Sequence, residues 1–142
     1  MHQVRLIYAS VMTEACDTEA LFEILKESRA NNAANKVTGI LCYDPAYFLQ
    51  CLEGPREAVN ALYAAINNDP RHKNVTLLEY ADMGDRIFGD WSMGFLPSGI
   101  LEKDLLPKYA DGGAFNPFAL SAEQARAFLI EVVETKREDI KK

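Results

Sequence analysis

The chain is poor in the residues on which many enzymes and small scaffolds depend. It has three cysteines, Cys16, Cys42 and Cys51, an odd number with no C-x-x-C spacing. That pattern argues against a disulfide framework or a cysteine zinc site and fits reduced thiols in a cytosol. It has two histidines, His2 and His72, far apart in sequence, and His2 lies by a terminus. Neither H-E-x-x-H nor G-x-S-x-G occurs, nor either glycine-rich phosphate motif, so the common metal, acyl-transfer and nucleotide sites have no starting point. Basic residues are outnumbered, 15 Lys and Arg against 21 Asp and Glu, and the net charge of -6 speaks against a nucleic-acid partner. No apolar run approaches the ~18 residues of a membrane span, and "MHQVRLIYAS" lacks the apolar stretch of a signal peptide. The expectation is a cytoplasmic protein that uses neither membrane nor nucleic acid. The scattered acidic residues, mostly on predicted helix faces, read as solvated charge and not as acid/base pairs.

What is present is enough for a core. The chain has 142 residues, 49% hydrophobic and 25% charged, within the range of one globular domain. "VRLIYAS" (4–10) reads as a first strand. A helix capped by Asp17 or Thr18 follows, with Leu21, Ile24, Leu25 and Ser28 on one face, and it is expected to end at Asn31 and Asn32. Strands at 37–43 and 47–53 flank an Asp44-Pro45 turn. Pro55 opens a second helix with Val59, Leu62, Tyr63 and Ile66 in its stripe. After a turn at 69–72 come a strand at 74–82 and a fifth within 90–97. The order βαββαββ predicts an α+β, ferredoxin-like sandwich: a mixed five-stranded sheet with two helices on one face. Residues 1–97 form this unit. Residues 98–142 read as a C-terminal helical extension serving output or oligomerisation. A short helix is expected near 102–109 and a second from Ser121, whose spacing to Gln124 resembles a capping box. The tail "ETKREDIKK" reads as a frayed, solvated end.

One residue is out of place. Gln50 lies in the apolar run "YFLQCLE". Strand alternation puts it on the face of Phe48 and Leu52. A buried amide without partners costs roughly 1–3 kcal/mol, so Gln50 needs them. If the first and third strands are neighbours, Tyr8 is one. The residues alone leave alternatives open. Gln50 can bond to backbone, Asn31 and Asn32 can simply end a helix, and Trp91 and Met93, two apart on the predicted fifth strand, can be core or edge cover. Taken together, a tyrosine, a glutamine and two amides, walled by Ile24 and Ile66 from the two helices, suit a planar polar ligand.

These pieces resemble one family. Tyr8 in "RLIYAS", then "SRANNAANKVTGILCY", "FLQCLEGPREAV", "DPRH" and "DWSMG" run in the order of a BLUF domain, the blue-light sensor using FAD. The length and C-terminal segment are similar to the short, PixD-type members, which carry no effector domain on the same chain. The resemblance implies FAD held non-covalently between the helices, its ring clamped by Ile24 and Ile66. It implies Asn31 and Asn32 on the polar edge of the ring, Asp69, Arg71 and His72 near the pyrimidine edge or the phosphates, and Gln50 between Tyr8 and the flavin. Light would drive an electron and a proton from Tyr8 through Gln50. Trp91 and Met93 would pass the signal to the C-terminal helices and on to a separate effector or response-regulator-like protein, or to a homo-oligomer. On this reading the protein is a sensor and not an enzyme. The competing expectations are a flavin-dependent redox enzyme and a cofactor-free ferredoxin-like interaction module.

Overall fold

A computed structural model describes residues 2–141. The first strand, β1, spans Gln3–Met12 and leads into α1, Thr18–Asn35. The hairpin β2, Thr38–Tyr43, and β3, Tyr47–Pro55, precedes α2, Arg56–Asn67. Two more strands follow, β4 at His72–Asp82 and β5 at Gly94–Pro97. The sheet order is β4-β1-β3-β2-β5, antiparallel except for the β2–β5 pair. This is the predicted mixed five-stranded, ferredoxin-like α+β sheet. Its close packing appears at Gly39, where a Cβ would stand 2.0 Å from the Cys51 carbonyl oxygen, so only glycine fits.

The central strands are buried on both faces. Val4, Leu6, Tyr8, Phe48 and Leu52 pack beneath α1 and α2, with Ile24, Leu25 and Val59 from the helices. Ile7, Ile40, Cys42, Leu49 and Cys51 form the other face. The C-terminal segment covers that face. After a short helix α3, Leu106–Tyr109, helix α4, Ala122–Lys136, lays Ala125, Phe128, Leu129 and Val132 on the sheet. The capping box holds: the Ser121 hydroxyl accepts from the Gln124 N–H, and the Gln124 side chain accepts from the Ser121 N–H.

Several boundaries differ from the sequence expectations; the short helix expected near 102–109, for one, begins only at Leu106. Helix α1 does not stop at Asn31-Asn32; it continues to Asn35, and Lys36 closes it in the left-handed conformation, φ 60°. Ala33 and Ala34 favour the helix, and the amides of Asn32 and Asn35 bond to Ser92 and Asn31 carbonyls instead of unravelling it. Pro55 ends β3 and stands at the α2 N-cap rather than within its first turn. Strand β5 begins only at Gly94, so Trp91 and Met93 lie before the strand, not on it. Their stretch makes turn and long-range bonds: Trp91 N–H donates to the Phe88 carbonyl, and the Trp91 carbonyl accepts from the Gly39 N–H. The tail is not a frayed end. Ile140 is buried, and Lys141 exchanges both backbone hydrogen bonds with Phe95 at 3.0 Å. Gly94 leaves room for it, since a Cβ there would lie 2.6 Å from an Ile140 methyl.

Candidate functional site

Tyr8 and Gln50 are direct cross-strand partners in the β1–β3 register. Both side chains leave the sheet on the α1/α2 side, exposed by 1% and 4%. The Tyr8 hydroxyl donates to Gln50 Oε1. At the other end of the amide, Gln50 Nε2 donates to the Met93 sulfur at 3.4 Å. The amide thus has an orientation, oxygen toward the phenol and nitrogen toward a thioether, which is a weak acceptor. Burial pushes the Tyr8 phenol well above the ordinary tyrosine range, so it stands as a neutral donor.

A cleft opens beside this pair, between α1 and α2. A cavity of about 130 Å³ is lined by Tyr8, Gln50 and Leu41 from the sheet, Ile24 and Asn31 from α1, and Ile66 from α2. A second cavity, about 230 Å³, shares Asn31 and Leu62 with the first and includes Asn32. Helical spacing explains the placement: Ile24, Ser28 and Asn31 recur every three or four residues along one side of α1. Asn32 is the informative residue. It is buried, its Nδ2 donates to the Ser92 carbonyl at 2.8 Å, and its Oδ1 has no partner among the described residues. An acceptor left unpaired in the interior is costly, and the ring N–H of a planar ligand would satisfy it. Apolar walls, an unpaired acceptor and an oriented amide fit an isoalloxazine.

Asp69, Arg71 and His72 all line the same cavity. Arg71 is forked onto Asp69 at 2.7–3.1 Å and reaches Glu27 of α1 at 3.4 Å. Burial raises the Asp69 carboxyl, but the Arg71 hydrogen bonds and charge outweigh it and hold the group below its usual range. His72 has a different partner. Its Nδ1 lies 2.8 Å from the buried Ser10 hydroxyl and its ring packs 4.6 Å from Phe48. Burial pulls its pKa down to about 4, so the ring is neutral.

Trp91 and Met93 separate across the sheet. Met93 belongs to the α1/α2-side core, against Gln50. Trp91 is buried in the opposite core, with the Arg137 guanidinium 5.0 Å over its ring and its Nε1 without a partner among the described residues. The residues that hold this stretch are not among those singled out above. Glu53, expected with the solvated acids, is fully buried: Arg5 donates to it at 2.9 Å, as do the Ile87 and Phe88 N–H groups at 3.0 and 2.8 Å. Arg29 donates to the Met93 carbonyl. A glutamate inside an apolar strand, the same signal that singled out Gln50, marks Glu53 equally well.

Comparison with known proteins agrees with this geometry. The family model described as BLUF, "Sensors of blue-light using FAD", matches residues 3–94. The photoactivated adenylate cyclase subunit beta of Euglena gracilis is 35% identical over 91 residues, 63% of this chain. The chain spans only 11% of that relative's length. The blue light- and temperature-regulated antirepressor BluF of Escherichia coli K12 is 32% identical, over 88% of this chain and 35% of its own. Among solved structures, the photo-activated state of BlsA has a TM-score of 0.84 at 32% identity, covering 92% of this chain and 94% of that one. The dark state of BlrB, described as a BLUF protein, has a TM-score of 0.81 at 30% identity, covering 95% and 97%. Sequence, sheet order and the tyrosine–glutamine pair lead to one conclusion: the chain belongs to the BLUF family.

Proposed function

We propose that this protein is a blue-light receptor that holds FAD non-covalently in the α1–α2 cleft. The observation that carries the reading is the buried Tyr8–Gln50–Met93 chain of hydrogen bonds on the cleft wall. Ile24 and Ile66 would clamp the ring, and Asn32 Oδ1 and the Asn31 amide would meet its polar edge. Asp69, Arg71 and His72 would meet the pyrimidine edge or the phosphate chain. The bound flavin supplies absorption of blue light and, when excited, a strong oxidant. Tyr8 would be the donor: its phenol would lose an electron to the excited flavin and its proton along the bond to Gln50 Oε1, and both would return to the phenol as the pair recombines. Gln50 is the relay, since its amide lies next to both the phenol and the cleft. An amide has different hydrogen-bonding senses at its two ends but nearly the same shape, so it can return with those ends exchanged. The exchanged amide would offer its oxygen where the Met93 sulfur now accepts, and that contact is lost.

The output would start there. Met93 leads directly into β5, and β5 carries the Lys141 bridge and the C-terminal helices. A free-energy shift of a few kcal/mol between two arrangements suffices to move a partner equilibrium. The receiver would be a separate effector or response-regulator-like protein, or another copy of the chain, in the cytoplasm. Among the described residues no helix is long and apolar enough to cross a membrane. The test is the absorption spectrum of the purified protein. A yellow protein whose band moves reversibly to the red under blue light supports the receptor. Bleaching by NADPH would instead mark a redox enzyme, and a folded protein that stays colourless with added flavin would mark an interaction module.

A further inference from the structure

We propose that Arg29 is a positioning residue: its guanidinium holds the 93–95 segment so that the Met93 sulfur faces the Gln50 amide. Arg29 extends from α1 toward β5. Its Nε donates to the Met93 carbonyl at 3.3 Å, and its guanidinium carbon lies 4.6 Å over the Phe95 ring. It thus grips the segment on both sides of Gly94. No carboxylate pairs with it among the described residues, and its Nη2 is buried with no hydrogen-bond partner. Burial lowers its pKa, an unusual setting for a cation without an acidic neighbour. Such a placement is not explained by a surface ion pair. A planar, delocalised cation can lie on an aromatic face and donate to a carbonyl at once; a lysine cannot do both.

The segment it holds connects three groups. The Met93 sulfur accepts from Gln50, the Ser92 carbonyl accepts from Asn32, and Phe95 is bridged to Lys141. The hydrogen bonds of Tyr8 and Gln50 go to each other and to Met93, not to Arg29, so Arg29 acts through Met93. Its contacts belong to the arrangement in which Gln50 donates to sulfur, and they favour return to that arrangement after light. This inference rests on the receptor reading for its kinetic part but not for its structural part.

The test uses the full chain with its flavin, as Arg29→Ala and Arg29→Lys variants. In the dark, hydrogen exchange at the amides of residues 93–96 should be at least tenfold faster in Arg29→Ala. Arg29→Lys, which keeps the carbonyl bond and loses the stacking, should fall between. After blue light, both variants should show the parent's red shift in full, because Tyr8 and Gln50 are intact. Return to the dark spectrum should be at least threefold slower in Arg29→Ala and intermediate in Arg29→Lys. Parental exchange at 93–96, or recovery within 1.5-fold of the parent, would overturn the proposal. If Arg29→Ala does not fold, Arg29→Lys alone decides on the same two readouts. A parent with no reversible shift would sink the receptor reading while leaving the dark exchange experiment to decide the positioning role.

Discussion

Replacing Glu53 removes the anchor of the stretch that carries Trp91 and Met93. The carboxylate is 0% exposed, and Arg5, its ion-pair partner, has a side chain only 13% exposed. Two backbone N–H groups, of Ile87 and Phe88, end on the same carboxylate, and Phe88 is itself in the core. Glu53→Ala leaves a nearly buried guanidinium and a buried N–H without their acceptor. Breaking a buried pair costs about 3–5 kcal/mol and each bond to a charged group contributes about 1.5–3, terms that overlap and do not sum. A net loss of about 4 kcal/mol is expected. At roughly 3 °C per kcal/mol for a chain of this size, that lowers Tm by about 12 °C. Glu53→Gln keeps the volume and one carbonyl acceptor, so its loss should be about half as large. Thermal unfolding followed by circular dichroism measures both. Hydrogen exchange should quicken first at residues 86–93, where the bonds are lost. A fall in Tm under about 3 °C for Glu53→Ala, or exchange unchanged there, would refute the anchoring role.

Two further outcomes follow from the same structure. His72 has a folded pKa near 4 against an ordinary value of 6.5, so the unfolded chain takes up its proton first as pH falls. Its contribution is present above pH 6.5 and lost as pH falls toward 4, about 2–3 kcal/mol by pH 4.5. The unfolding free energy from urea titrations should fall between pH 7 and 4.5 by that much more in the parent than in His72→Gln; equal falls would contradict it. Gly39→Ala puts a Cβ 2.0 Å from a backbone oxygen between β2 and β3, and the hairpin must spread. It should destabilise by about 2–4 kcal/mol in the same denaturation assay, and a neutral result would mean that the strands part more easily than their packing indicates.

The parts of the fold that were legible from the sequence are those with strong local signals. The Asp17 N-cap, the Ser121 capping box and the apolar strands each carry their own chemistry, and strand alternation, given neighbouring first and third strands, puts Tyr8 and Gln50 in one layer. Asn31-Asn32 misled because asparagine at a helix end and asparagine bonded across to Ser92 look alike in sequence. The tail misled because its charges are local, whereas the notch at Gly94 that receives Ile140 is formed by residues more than forty positions away. The same holds for Arg29 and the Ser10–His72 contact. Each is a polar residue whose partner comes from another element, so no periodicity within its own segment points to it.

The central claim is that the oriented Gln50 amide converts light into altered hydrogen bonding. The light-minus-dark absorption spectrum of the flavin-loaded parent beside Tyr8→Phe and Gln50→Leu tests it most directly. Tyr8→Phe also leaves Gln50 Oε1 without its donor, at a stability cost of about 1–3 kcal/mol, so folding is checked in the same samples. All three proteins should be yellow, and only the parent should show a band that moves to the red and returns in darkness. A full reversible shift in a folded Gln50→Leu protein would contradict the claim.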